Sequence, residues 1–276
     1  MAAWQTGPVP VHWRSEERQG RAADLHASWP SVEARPEERA VARCRPLDRA
    51  VVLGSTQPDD LVLVAAAGAA GVAVARRRSG GGAVLVTPTD PVWIDVWVPA
   101  GDPLWEADVS RSFRWLGETW RRALEDVLGP GHGGGLVVVD PGQAGDAARR
   151  VPGSDRWADS VCFAGHGWGE VVTGDGRKVV GLAQRRTRAG AWFHGACVLR
   201  WSADVLLDVL AHDPVDRRTG GAVLAGVAAG VLDLAGVAAG VLDLAGPEGG
   251  PEDAERIAGV RALVESAFLA QLGARA

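Results

Sequence analysis

"GRKVVGLAQRR", residues 176–186, contains Lys178, the only lysine in the 276-residue chain; of 29 Lys and Arg residues, the other 28 are arginine. The sequence has no Asn and no Tyr and abounds in Ala, Gly and Arg, a skew of the kind a GC-rich coding bias produces. Such a bias explains why lysines are few but not where the last one sits. An ammonium is a compact point charge on a flexible stem, whereas a guanidinium is a wide planar fork, so a tight pocket for one oxygen atom can require the lysine. The bland alternative is a solvent-exposed hairpin lysine. The surroundings do read as a hairpin: "GEVVT" (169–173) and "RKVVGLAQRR" (177–186) flank Asp175-Gly176, which suits a tight primed turn.

Working outward, "SVCFAG" (160–165) reads as a strand before the hairpin and "WFHGACVLRW" (192–201) as one after it. "RAVVLG" (49–54), "VAVARRR" (72–78) and "LVVVD" (136–140) are also strand-like, and "DDLVLVAAAGAAG" (59–71) is read as a helix capped at Asp59 or Asp60. "AVLVT" (83–87) and "PVWIDVWVP" (91–99) are expected to pair antiparallel. The clearest helix is 103–128, with Asp102 as cap, Pro103 in its first turn, and a core stripe of Val109, Phe113, Leu116, Trp120, Leu124 and Val127. The end is expected to be helical over 203–211, part of 218–246, and 252–272. Strands and helices mix without strict alternation, which predicts an α+β fold: a mixed, largely antiparallel sheet with helices packed on it. Residues 1–47, rich in Arg, Glu and Pro, are expected to form an irregular N-terminal segment with one helix at most, leaving 48–276 as the main domain.

Composition narrows the function classes. A net charge of −5 argues against a general nucleic-acid binder, which needs a basic face. Three cysteines at wide spacings, with no C-x-x-C pair, suit a reducing cytoplasm and argue against a zinc site or disulfide framework. The first twenty residues do not read as a signal peptide. The long apolar run at 221–246 carries Asp233 and Asp243, each costing roughly 2.5–3.5 kcal/mol at a bilayer centre, so it is read as soluble. It holds an exact tandem repeat, "LAGVAAGVLD" at 224–233 and again at 234–243. Ten residues advance a helix to about 80° from the starting face, so the copies do not share one face and a peripheral duplication is expected.

Several motif matches are decoys. "GPGHGG" (129–134) follows a helix and precedes a strand, the reverse of a dinucleotide-binding loop. "HGGG" (132–135) lacks the G-x-S-x-G elbow of a hydrolase, and Lys178 is followed by Val179, so there is no P-loop. "RRRSGGGAV" (76–84) is more telling. Three glycines after a strand let the backbone approach a ligand, and adjacent arginines supply charge for an anion. Alone, it could equally be a glycine-rich hairpin.

Taken together, "RRRSGGG" and "GRKVVGLAQ" resemble the biotin/lipoate protein ligase superfamily, in particular lipoate–protein ligases and the related octanoyl and lipoyl transferases. The resemblance covers roughly 50–200 and implies that family's catalytic-domain fold. It implies an acyl pocket bordered by Arg76, Arg77, Ser79, Gly80, Gly81 and Gly82 on one side and by Gly181, Ala183 and Gln184 on the other. Gln57, in "VVLGSTQ" (51–57), is a weaker third match to a ligand-bordering glutamine. By the same resemblance Lys178 lies against the acyl carbonyl oxygen and stabilises charge as the acyl carbon is attacked.

Two chemistries run on that fold: an ATP-dependent ligase that makes an acyl-adenylate with ATP and magnesium, and a transferase that carries the acyl group on a cysteine and needs no cofactor. "VCFAG" places Cys162 sixteen residues before Lys178 and resembles the nucleophile segment of one transferase branch; the bland reading is a buried strand cysteine. Where ligases have an aromatic-His-Asp segment after the glycines, this chain reads "AVLVTPTD". The expectation is transfer of an octanoyl or lipoyl group, through a Cys162 thioester, to a lysine of a lipoyl carrier domain of a 2-oxoacid dehydrogenase or glycine-cleavage protein. An acyl carrier protein would donate it, and no metal, nucleic acid or membrane is involved. A lipoate ligase, which could need a second protein, and a non-catalytic acyl or lipoyl-domain binder are the alternatives. The basic runs Arg76–Arg78 and Arg185, Arg186 and Arg188 could meet an acidic carrier. His194 could border the pocket or simply pack, and Cys197 is expected in the core.

Overall fold

The structure is a computed structural model that describes residues 12–129, 135–140, 153–212, 214–235 and 250–275. Among these residues two sheets form. In the seven-stranded sheet, β1 (Arg14–Gly20), β2 (Ala40–Pro46), β6 (Val92–Pro99), β10 (Gly190–Cys197), β9 (Lys178–Arg186), β8 (Val171–Thr173) and β7 (Leu136–Val138) lie side by side in that order. β1 runs parallel to β2, and all other neighbours are antiparallel. In the three-stranded sheet, β3 (Ala50–Leu53) lies between β4 (Ala73–Arg76), to which it is parallel, and β5 (Val84–Val86), to which it is antiparallel.

β6 organises the interior because "VWIDVWVP" is buried at every position. Its side chains alternate. Val92, Ile94, Val96 and Val98 meet Leu116, Trp120 and Leu124 of helix α4 (Arg114–Leu128) and Val264 and Phe268 of α8 (Pro251–Gly273). Trp93 and Trp97 point the other way, towards Leu25 of α1 (Ala22–Ala27), Trp29, and Val32 of α2 (Pro30–Ala34). Trp120 and Phe268, both fully buried, stack with ring centroids 4.3 Å apart. A large apolar side chain buried this way contributes roughly 1.5–3 kcal/mol on leaving water.

The smaller sheet packs Val51 and Leu53 against α5 (Asp204–Val209) and its neighbours, including α3 (Val64–Ala69), while Ala50 and Val52 face Ala22 of α1. Where the loop after β4 meets the segment before β8, Ala83 N donates to Ser160 O and Cys162 N donates to Ala83 O, both at 2.8 Å. Those two bonds position the site.

The α+β architecture, the 169–186 hairpin and the strands at 50–53, 73–76, 136–138 and 190–197 match the expectations from sequence. Six expectations need correction. Residues 14–46 are not irregular but hold β1, α1, α2 and β2; the charged "RSEERQG" that looked like loop is an edge strand, where charge guards the open edge. β5 and β6 do not pair but belong to different sheets, because Pro88 and Pro91 interrupt the ladder between them. The expected helix at 59–71 is a single turn at Asp59–Leu61 followed by α3, with Asp59 paired to Arg76 rather than capping.

α4 begins at Arg114, not 103. Asp102 accepts from Leu104 N (2.8 Å) but also takes a two-bond fork from buried Arg39 (2.7 Å each), and Val109 is exposed rather than core. "CFA" is one turn of helix at Cys162–Ala164, not a strand. The first copy of the tandem repeat is not peripheral. It runs from the end of α6 (Pro214–Ala225) into α7 (Val231–Ala235), and Leu224, Val227, Ala229 and Val231 are buried. A segment apolar on every face is stable only inside. Residues 236–243 of the second copy, and 130–134 of the glycine-rich "GPGHGGG" stretch, lie outside the described residues.

Candidate active site

Lys178 opens β9, and its backbone is fixed from the repeat segment: Lys178 N donates to Val227 O at 2.9 Å and Ala229 N to Lys178 O at 3.0 Å. The turn before it is possible because Gly176 adopts φ +90°, a left-handed conformation that glycine accepts without strain. Its side chain is not the solvated lysine of an ordinary hairpin but is 1% exposed. Nζ donates to Cys162 O and to Glu170 Oε2, both at 2.7 Å, and lies 5.4 Å from the centre of the Phe163 ring.

Glu170 is equally fixed. Its Oε2 also accepts from Gly167 N at 2.6 Å and its Oε1 from Leu182 N at 3.2 Å. The carboxylate thus ties the loop before β8 to β9.

Two cavities meet here. An outer one of about 390 Å³ is bordered by Gly80–Gly82, Glu170, Lys178 and Gln184, among others. An inner chamber of about 40 Å³ lies between Val84, Val86, Trp93, Phe163 and Ala196, with His26 and His194. Cys162, Leu182 and Ala183 border both, so they form the throat. The glycine loop sets the Cys162 turn directly: a Cβ on Gly82 would lie 2.6 Å from Cys162 N, so only glycine permits the approach. The arrangement offers an apolar inner space, a cysteine at its neck and an ammonium at its mouth.

The family model of the lipoyl protein ligase A/B catalytic domain matches residues 32–240. The chain belongs to that family. Solved structures of similar fold include a bipartite lipoate protein ligase with its E2 lipoyl domain from Thermoplasma acidophilum, at 18% identity, TM-score 0.61, over 95% of this chain and 84% of that one. Lipoate-protein ligase A bound with ATP is similar at 18% identity, TM-score 0.59, over 96% and 86%. At such identities the likeness shows the fold, which is that of lipoate ligase catalytic domains. Comparison with curated proteins returned no match.

Within this lipoyl ligase fold the residues picked out from the sequence separate into three groups. Gly80, Gly81, Gly82, Cys162, Lys178, Ala183 and Gln184 border the outer cavity, and Gln184 Nε2 is a buried donor without a partner among the described residues. Arg77 and Gly181 border the inner chamber. Arg76, Ser79 and Gln57 border neither. Arg76 donates to Gly54 O and Gln57 O at 2.7 Å, and Gln57 bridges Gly54 N (2.9 Å) and Asp159 O (2.7 Å), so both brace loops rather than face a ligand.

Arg77 is also engaged, donating to Val52 O, Gly80 O and Gly82 O at 2.7–3.2 Å. The fork expected for a carboxylate holds the glycine loop instead. Burial lowers the Arg77 pKa, with Cys162 and Glu170 acting against that shift. Cys197 lies in the core, as expected. Arg186 binds the carbonyls of Glu106 and Ala107 and covers Trp105, leaving Arg78 and Arg188 as exposed members of the two basic runs.

Three site residues escaped the sequence reading. Glu170 had one signal: the hairpin register pairs Val171 with Val180 and so puts residue 170 within reach of Lys178. Phe163 had a local one, as the residue after Cys162 in "VCFAG", whereas His26 had none, since it reaches the site only through tertiary packing. Among the described residues no group of three His, Cys, Asp or Glu side chains could hold a metal ion, and no helix is long and apolar enough to cross a membrane.

Proposed function

We propose that this protein is a protein-lipoylation enzyme that moves an octanoyl or lipoyl group onto a lysine of a lipoyl carrier domain through a thioester on Cys162. One observation carries the reading: Cys162 stands at the throat between an apolar chamber and the cavity holding Lys178, with its own carbonyl 2.7 Å from Lys178 Nζ. The acyl tail would point from the throat towards the chamber, whose present volume of about 40 Å³ would have to widen to hold eight carbons. The Cys162 sulfur attacks, as the thiolate, the carbonyl carbon of a carrier thioester, the C–S bond to the carrier breaks, and the carrier leaves as a thiolate that takes a proton from water. The neutral acceptor amine then attacks the acyl-Cys162 carbonyl, the C–S bond breaks, and the proton the nitrogen loses goes to the departing Cys162 sulfur, leaving the amide and the free thiol.

Lys178 stabilises the oxyanion in both steps. A preorganised donor of that kind accounts for roughly 10²–10³ in rate. The similarity to a bipartite lipoate protein ligase of a lipoylation system that includes an E2 lipoyl domain supports a lipoyl domain as acceptor. Thiol chemistry of this sort requires a reducing compartment, for which the cytoplasm is our assignment.

The second reading is an ATP-dependent ligase, favoured by the similarity to a ligase solved with ATP. Nucleotide phosphates would need donors at the glycine loop, and there Arg76 and Arg77 already serve main-chain carbonyls. The deciding experiment is the intact mass of an apo lipoyl domain after incubation with octanoyl-acyl carrier protein without ATP, or with lipoate plus ATP. Gain only in the first, abolished by Cys162→Ala, is expected. Gain only in the second would establish the ligase, and gain in neither would favour a binding protein.

A further inference from the structure

We propose that Glu170 is the positioning residue of Lys178 and makes the site selective for an uncharged acyl donor over a free carboxylate. This rests on the acyl-transfer reading above. Glu170 and Lys178 are 4% and 2% exposed at their side chains and touch at 2.7 Å. An ammonium has three hydrogens. Among the described residues two are taken, by Cys162 O and Glu170 Oε2, so one remains for a ligand oxygen in the outer cavity. Glu170 cannot swing aside freely, because Gly167 N and Leu182 N hold its two oxygens.

The charges follow from this. Lys178 enters the reaction already paired, so the single remaining hydrogen meets a neutral thioester carbonyl without conflict. As that oxygen becomes an oxyanion, the bond strengthens. A free carboxylate instead brings a full negative charge beside Glu170 in a water-poor site, where like charges repel strongly. Arg77, the other buried cation near this site, already donates to the main-chain carbonyls of Val52, Gly80 and Gly82, so it is committed to the glycine loop.

Calorimetric titration of the whole protein with octanamide and with octanoate, at pH 7.5 and without carrier, tests this. Wild type should bind the amide about tenfold more tightly than the anion, and Glu170→Gln should abolish or reverse that preference, whereas Glu170→Asp should keep it. A wild type that prefers octanoate, or a Glu170→Gln protein with an unchanged ratio, overturns the proposal. Should Glu170→Gln not fold, the wild-type ratio decides alone. If neither compound binds wild type, the acyl-site reading itself fails along with the inference.

Discussion

Two clusters of buried charge are built on nearby strands of one sheet, and they are put to different uses. On β6 and β10, Asp95 is fully buried and its carboxylate is filled: Oδ1 accepts from Trp93 Nε1 (2.7 Å) and His194 Nδ1 (2.8 Å), and Oδ2 from Arg18 (3.2 Å). Arg18 in turn lies over the rings of Trp29 and Trp192, and His26 stacks on Trp93 at 4.2 Å. On β9, Lys178 is as deeply buried but borders a cavity with one hydrogen to spare. A buried charge enclosed by its own fold is an anchor. One with a vacancy facing a cavity is a tool.

The sharpest way to break the contrast is to remove the anchor. Asp95→Ala leaves Arg18 and His194 without their anion, and loss of one partner in a buried pair costs roughly 3–5 kcal/mol. Urea unfolding should show that loss, while Cys162 acylation per folded molecule stays within a fewfold of wild type. A stability loss under about 1 kcal/mol would mean the cluster is not the anchor described.

Lys178→Arg is the converse test. It keeps the charge but puts a wide fork where Cys162 O and Glu170 leave room for a point, so octanoyl transfer should fall roughly 10²–10³-fold. The thermal midpoint should move by only a few degrees. Full activity in that variant would return Lys178 to the status of a structural lysine.

The smallest effect concerns pH. Burial holds His26 well below its ordinary pKa of 6.5, with His194 adding to the shift. In the unfolded chain the ring takes a proton as pH drops below 6.5 and in the fold it does not. Stability is therefore fully present above about 6.5 and erodes as pH falls towards the lowered folded value, at no more than about 1.4 kcal/mol per pH unit for one proton. His26→Leu should flatten that part of the stability–pH curve; an unchanged slope would place the proton elsewhere.

The chemistry of the site was more legible in the sequence than its frame. Lys178, the glycine loop and Cys162 carry local signals, a residue type that composition cannot explain and glycines beside arginines, and the fold brings all three to one cavity. Arg76, Arg77 and Gln57 carried equally good local signals, but whether a side chain faces a ligand or a carbonyl depends on packing that local sequence does not encode. The same limit applies to 103–113, read as helix: Asp102 does accept from Leu104 N (2.8 Å), as a start signal should, but it also anchors Arg39 from sixty-three residues away, and no helix continues from it. Likewise "LAGVAAGVLD" lacks a single apolar face because it is enclosed on every side, not because it lies outside the core.

Burying the only lysine has a practical side. The exterior presents no ε-amine at all, so under the proposed lysine acylation the protein would offer none of its own side chains as a competing target. In a mixture with its acceptor, any ε-amine that gains an acyl group reports on the acceptor.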